Sequence, residues 1–468
     1  MKRKLLCEEK KAKKVSFLKK SGLSLVGGFV AFLFLVFGFG SGTAMAIPSF
    51  ARQTGLSCSV CHTVFPELTS FGRQFKLNGY TLTNIKTIVQ KESSSNGKSS
   101  RDVLKLLHIP QLSVGFNTGF THLAKSIPGT QNNNIEFPQS FSFYYGGIIA
   151  PHFGSFLQVS LDDDAGAFGI DMLDIRYANT TKIGKMPLLY GLTIDNGPMM
   201  GDVWNTASPW SYPYSASGIA PAPSAGTMVE GGLMGTLGAG ANALFGNTLY
   251  LGFSLYRTAP FGTIFPPDNG SVMTIKGLSP YWRIAIQHQW TKSYLEVGTF
   301  GLATKLYPTG VSGATDNYTD FGFDLQYEYY FAKGQFTLHS SYITEKQQFN
   351  ASYAAGNTQF LNDKVNSFKT DASIYIKKGY MFTLGYFNYS GSSDNIMYAP
   401  ASVSGSRTGL PNSSGIMAQV DYLPWVNTKI SLIYTAYNKF NGAVDNYDGS
   451  GRKASDNNSI YLQLWFLF

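Results

Sequence analysis

From residue 109 to its carboxyl end the chain alternates polarity with a period of two, and no other feature restricts its fold as much. Phe321, Phe323, Leu325, Tyr327, Tyr329 and Phe331 share one parity, while Gly322, Asp324, Gln326 and Glu328 share the other. A strand sends successive side chains to opposite faces, so this stretch has one apolar and one polar face. Segments of about ten such residues, separated by turn residues, are the signature of a transmembrane β-barrel with lipid outside and a wet lumen. Sixteen segments are expected, among them 109–122, 227–242, 319–331 and 459–468. The expected fold class is therefore all-β: an antiparallel barrel of about sixteen strands, preceded by a small helical segment. A soluble sandwich would leave the apolar rows in water.

Tight connections such as Thr291-Lys292, Ala332-Lys333-Gly334 and Lys377-Lys378-Gly379 interleave with long ones at 196–226, 259–278, 346–366, 391–413 and 439–458. Short periplasmic turns and long extracellular loops are the outer-membrane arrangement. The long connections carry more Asp and Glu than Lys and Arg, so the outer face is expected to be mildly acidic. Asp162-Asp163-Asp164 is its sharpest cluster, readable as a hard-cation site or as a solvated loop. The short turns, with Lys182, Lys185, Lys292 and Lys333, hold essentially no acid.

Composition removes other classes. The formal charge of +9 is concentrated in residues 1–46, which hold nine Lys/Arg and two Glu and leave 28 basic against 26 acidic residues elsewhere. A nucleic-acid face is thereby excluded. The same stretch reads as a basic region, an apolar run from Leu23 to Gly40, and Ala44-Met45-Ala46, a signal-peptidase pattern. Cleavage after Ala46 is expected, with an uncleaved anchor helix as the alternative. No second apolar run approaches the roughly 20 residues of a spanning helix. The expected organisation is a signal peptide at 1–46, a haem-bearing segment at 47–90, a low-complexity linker at 91–108 and a barrel at 109–468.

Cys7 leaves with the signal, so two cysteines remain, in Cys58-Ser59-Val60-Cys61-His62. This is the C-x-x-C-H pattern of covalent c-type haem attachment. Two thiols one helical turn apart reach the two vinyl groups of one porphyrin, and the adjoining imidazole becomes the proximal iron ligand. A redox dithiol and a structural disulfide are alternatives, while a zinc site lacks further cysteines. Leu68, Phe71 and Phe75 draw an apolar stripe on a short helix after Pro66, fit to cover a haem face or to pack a core. Arg73 and Lys76 are read as propionate partners or as solvated charges.

The sixth iron ligand is not supplied nearby. Between Ile47 and Leu107 the only histidine is His62 and no methionine occurs. Candidates are His122 and, by inward parity or loop position, Met172, Met199 and Met200; Met228, Met234 and Met417 share the inward parity. His108 and His122 carry outward parity. Five-coordinate iron, or an unusual ligand such as Lys76 or Asn78, also remains open.

The stretch from Phe50 through Thr54-Gly55-Leu56 to His62, followed by Phe65-Pro66, Phe71-Gly72-Arg73, Phe75-Lys76 and Gly79-Tyr80, resembles the amino-terminal signature of fused cytochrome-porins. These are outer-membrane iron-oxidising monohaem cytochromes. Gly191 to Asn196, with Asp202-Val203-Trp204-Asn205-Thr206, looks like that family's long loop. The resemblance implies one haem c on Cys58 and Cys61, with His62 on the iron. It also implies location in the bacterial outer membrane, among its lipids, and transfer of electrons from extracellular Fe(II) to a periplasmic c-type cytochrome or other carrier. The expected activity is that of an Fe(II):cytochrome c oxidoreductase. A diffusion porin with a structural or sensory haem, its pore lined by Asp174, Arg176, Asp324 and Glu328, is the second reading, and electron export to an external acceptor is the third.

Overall fold

The computed structural model describes residues 47–83, 112–162, 166–231, 233, 235–260 and 265–468. The expected signal peptide and linker, His108, Met234, Asp163 and Asp164 lie outside these residues.

Seventeen strand segments form one antiparallel sheet that closes on itself. The first strand, Leu112–Leu123, pairs with the last, Ser459–Leu467, from Gly115 opposite Leu467 to Leu123 opposite Ser459. The wall has sixteen positions because two segments share one of them. Val272–Ile275 and Ser279–Gln289 both pair with Ser293–Thr309, one opposite its end and one opposite its beginning. The expected sixteen strands are therefore present, with one of them broken around Gly277, whose φ is 79°. Closure pairs the first strand with the last and so removes the two free edges an open sheet would keep, the condition for crossing a bilayer with strands.

The sixth strand starts later than its sequence suggests. It runs Thr236–Phe245, and Met228–Glu230 form a 3-10 turn instead. Here tertiary bonds override strand pattern: the N–H of Met228 donates to Glu345 and that of Val229 to Asp320, each at 2.6 Å. Those carboxylates project inward from the wall, so this part of the chain lies in the lumen.

Parity along Asp316–Phe331 follows the sequence reading. Phe321, Phe323, Tyr329 and Phe331 are exposed outward, while Asp324, Gln326 and Glu328 are buried. The outward rows elsewhere include Leu192, Ile286 and Leu384, each about 60% exposed. So much contiguous exposed apolar surface identifies a lipid-facing belt. Connections at 151–152, 184–185, 246–248, 290–292, 332–333, 377–379 and 426–427 are all short and gather at one rim, where the first strand begins and the last strand ends. The long connections gather at the other.

Leu384 sits midway along Tyr380–Gly391, between Ala372 and Ala418 of the flanking strands. Leu384→Arg is expected to cost about 2–4 kcal/mol if that position lies at the bilayer midplane. Urea titration of folding into lipid vesicles measures this; an unchanged midpoint would contradict a lipid-facing Leu384.

Candidate functional site

The amino-terminal segment is built from three short helices. The first, α1 (Pro48–Thr54), has a proline at its start, where no N–H is needed, and ends at Gly55 with φ 68°. The second, α2 (Cys58–Cys61), is a single turn that brings Cys58 and Cys61 to the same side. His62 leaves that turn in an extended conformation and bridges Leu68. The third, α3 (Ser70–Leu77), is capped by Thr69, whose hydroxyl accepts from the Gly72 N–H at 3.1 Å. Thr69 also donates its N–H to the Cys61 carbonyl, 2.9 Å, and so seats α3 against α2. At Gly72 the contact is closest: a Cβ there would lie 2.1 Å from the Cys61 carbonyl oxygen. Phe75 is buried and Phe71 half-buried, as the apolar stripe predicts, with Leu68 just ahead of the helix.

This segment is held within the barrel at the short-turn rim, by polar contacts from many parts of the wall. Tyr80 donates to Asp174 at 2.6 Å, Thr337 to Glu67 at 2.7 Å and Lys429 to the Phe65 carbonyl at 3.2 Å. The Ser49 N–H donates to Ser113, and Gln53 accepts from the Ile148 N–H. Arg73 forks onto Glu328, and its guanidinium lies 4.0 Å from the centre of the Tyr294 ring. Arg73 and Lys76 are thus buried, 3% and 7% exposed, rather than solvated. The wall supplies the partners that an isolated helix lacks.

A second inward element corrects another expectation. The connection 196–226 was expected outside, yet Met199, Val203, Trp204, Ala207 and Tyr212 are buried, and so is Val229 in the stretch expected to be strand. Its apolar and aromatic content gives the physical reason: within the barrel those side chains pack instead of meeting water. Asn205 joins it to the helical segment, accepting from the Leu68 N–H at 3.0 Å while donating to the Trp210 carbonyl. Asp202, counted with the acidic outer face, accepts the N–H groups of Trp204, Thr206 and Ala207 inside. Asp394 and Asp448, in other long connections, are also buried acceptors of backbone N–H groups. The acidity expected of the outer face is reduced accordingly.

Cys58, Cys61 and His62 line one cavity of about 770 Å³, part of it open to solvent. Phe50, Phe65, Phe75, Phe156 and Trp210 make it predominantly apolar. Neither cysteine is engaged in a disulfide. Burial drives the His62 imidazole down to about 4, so it is the neutral base that a metal requires, and its Nδ1 is buried without a partner. Lys76 is the one cationic side chain of the lining; burial lowers it to about 7, and its Nζ donates to the Asp202 carbonyl at 2.9 Å and lies 4.3 Å from the centre of the Trp210 ring. Thiols, imidazole and flat apolar walls fit a covalently held porphyrin.

None of the four distal-ligand candidates lines this cavity. His122 faces outward and bonds Asn133. The Met199 sulfur accepts from the Tyr281 hydroxyl, and Met200 is buried with its carbonyl bonded to the Trp210 indole. Met172 packs at the margin of the apolar cluster around Phe75 and Phe156. Asn78 is likewise outside the lining, its amide bonded to Gln74. The luminal residues sequence reading missed include Asn205, Trp210, Thr337 and Lys429; inward parity was the available signal for the last two.

Across the strap of residues 210–214 lies a second luminal cavity of about 940 Å³, part of it open to solvent, lined by Tyr212, Asp371, Tyr389 and Tyr461 among others. Trp210 faces the first cavity and Tyr212 the second. The four charged wall residues expected to line an open pore are instead paired: Asp174 with Arg176, Asp324 with Arg283, and Glu328 with Arg73.

No family model and no curated protein matches this sequence. Its structure is similar to the anion-selective porin from Comamonas acidovorans, at 12% identity over 76% of this chain and 98% of that one, with a TM-score of 0.43. The outer membrane channel DcaP of Acinetobacter baumannii matches at 12% identity, 76% and 96% coverage and a TM-score of 0.42. In-vitro folded OmpT of Vibrio cholerae matches at 10%, 76% and 98%, with 0.43. The assignment of a barrel rests on the strand pairing described above.

Removing one partner of a buried ion pair costs about 3–5 kcal/mol, because the other charge is stranded. Glu328→Gln is therefore expected to loosen residues 47–83 while the barrel persists. Limited proteolysis should cut the segment faster in the variant, with the heat-dependent gel mobility of the barrel retained; equal cleavage rates would contradict the anchoring role of Arg73.

Proposed function

We propose that this protein is an outer-membrane electron-transfer protein that carries one c-type haem on Cys58 and Cys61, with His62 on the iron, and passes electrons from extracellular Fe(II) to a periplasmic c-type cytochrome. The observation that carries this reading is the convergence of the two thiols and the neutral imidazole on one apolar cavity inside a membrane-spanning barrel.

The haem, when bound, supplies a one-electron redox centre. The chain's own residues do the rest. Cys58 and Cys61 would fix the group covalently, Gly72 lets α3 close against α2 behind them, and Phe50, Phe65, Phe75 and Trp210 would exclude water from its faces. Lys76 puts a basic group in the wall, available to a propionate. An apolar shell and buried charges are among the levers that set a haem potential. The reaction balances simply: each Fe(II) oxidised to Fe(III) outside yields one electron, which reduces one acceptor inside. Placement of the segment at the short-turn rim suits delivery to the periplasm, and the second cavity offers the donor an approach from the opposite side of the strap.

Anaerobic addition of Fe(II) to the purified oxidised protein is expected to convert the haem absorption bands to those of the reduced form, and His62→Ala to abolish the response. Reduction by dithionite but not by Fe(II) would remove iron as the direct donor and favour the electron-export reading.

The diffusion-porin reading is distinguished by conductance. The segment 47–83 and the connection 196–235 occupy lumen that an open porin leaves to water. Planar-bilayer recording is expected to show no sustained open level. A steady ohmic current through the wild-type protein would support the porin instead.

A further inference from the structure

The two rims of the barrel carry different charge. At the short-turn rim the exposed ionised side chains are Lys185, Lys292, Lys333, Lys377 and Lys378 on the turns, Lys182 at the end of the strand Ala167–Ile183, and Arg52 on α1. Arg52 is fixed there by its bond to the carbonyl of Leu112, where the first strand begins. Among the described residues no exposed Asp or Glu shares this rim: Glu67, Glu328, Asp371 and Asp421, the carboxylates nearest to it, are all buried. The opposite rim mixes both signs, with Lys125 against Asp456 and Lys453 against Asp445. Cys58, at the mouth of the apolar cavity, is partly exposed beside the exposed Ser57 on the same helical segment.

Among the described residues, seven cations face no exposed Asp or Glu at this rim, and the one anion beside them is the terminal carboxylate at Phe468, so a net positive field stands at the end of the molecule where the attachment cysteines reach solvent. Such fields raise association rates of oppositely charged partners by about 10–1,000-fold at low salt and repel partners of like charge. We propose that the short-turn rim is the docking face for a soluble electron-transfer protein whose own redox edge is framed by carboxylates. This rests on the electron-transfer reading above and adds to it the chemistry of the acceptor. A haem held by Cys58, Cys61 and His62 would supply one electron, and the partner's metal centre would accept it. No bond or proton moves. All but Lys182 of these lysines sit on turns, beyond the strand ends, so the rim stays open to a rounded partner while the outward rows remain in lipid.

The test uses the full protein in nonionic detergent, reduced and mixed by stopped flow with three oxidants: an acidic-faced cytochrome c, a basic-faced cytochrome c and a small neutral complex. At about 10 mM salt, where the screening length is about 30 Å, the acidic cytochrome is expected to be reduced at least about tenfold faster than the basic one, an advantage that fades toward 1 M. Combining Lys292→Glu, Lys333→Glu and Lys378→Glu should lower the rate with the acidic cytochrome about tenfold and leave that of the neutral complex unchanged. A salt-independent rate, or preference for the basic cytochrome, would overturn the proposal. So would a triple variant that loses affinity for vesicles of anionic lipid yet transfers electrons normally, since the lysines would then serve headgroups. If the neutral complex also draws no electron, the haem reading fails and the docking proposal with it.

Discussion

Closure of the strand ladder between Leu112–Leu123 and Ser459–Leu467 is the constraint from which the rest of this structure follows. Once the sheet is closed and its outer rows are committed to lipid, every residue of the other parity must face inward. Here those residues include Asp174, Arg176, Arg283, Glu296, Asp324 and Glu328, all buried. A buried charge without a partner costs several kcal/mol, so a wall of this kind either holds water or is met by complementary groups. The segment 47–83 and the connection 196–235 supply such groups: Arg73 for Glu328, Tyr80 for Asp174, and Thr206 for Asp324.

This pairing gives the lumen two characters. Toward the wall it is polar and hydrogen-bonded, which fixes the inserted segments in one register. Between the inserted segments it is apolar, with Phe50, Phe75 and Tyr80 packed together around the cavity that Cys58, Cys61 and His62 line. A barrel whose lumen were merely wet would leave the His62 ring solvated, whereas here the ring is half-buried and its Nδ1 is shut away from water. Insertion of the helical segment therefore creates the apolar environment that its own sequence is too short to build.

The barrel was legible because a closed sheet leaves a periodic trace, and the trace of Asp316–Phe331 survives intact in the structure. The boundaries of the sixth strand were not, because Asp320 and Glu345 capture the backbone of Met228 and Val229, a long-range bond invisible to local pattern. The cysteines and His62 were legible from spacing alone, whereas the surroundings were not. Arg73 reads as a propionate partner or a solvated charge until Glu328 is known to face it across 255 positions of sequence. The inward path of 196–235 had a signal in Trp204, Trp210, Tyr212 and Tyr214, an aromatic content unsuited to a solvated loop. Charge counting over whole connections obscured it, since Asp202, Asp394 and Asp448 are buried acceptors of backbone N–H groups.

The central claim is that the apolar luminal cavity is a covalent haem site. Peptide mass spectrometry of protein produced in a host able to attach c-type haem, combined with the pyridine haemochrome spectrum, tests it most directly. One haem per chain, joined through both Cys58 and Cys61, is the predicted result. Recovery of the folded barrel with these residues as haem-free thiols, or as a disulfide, would contradict it.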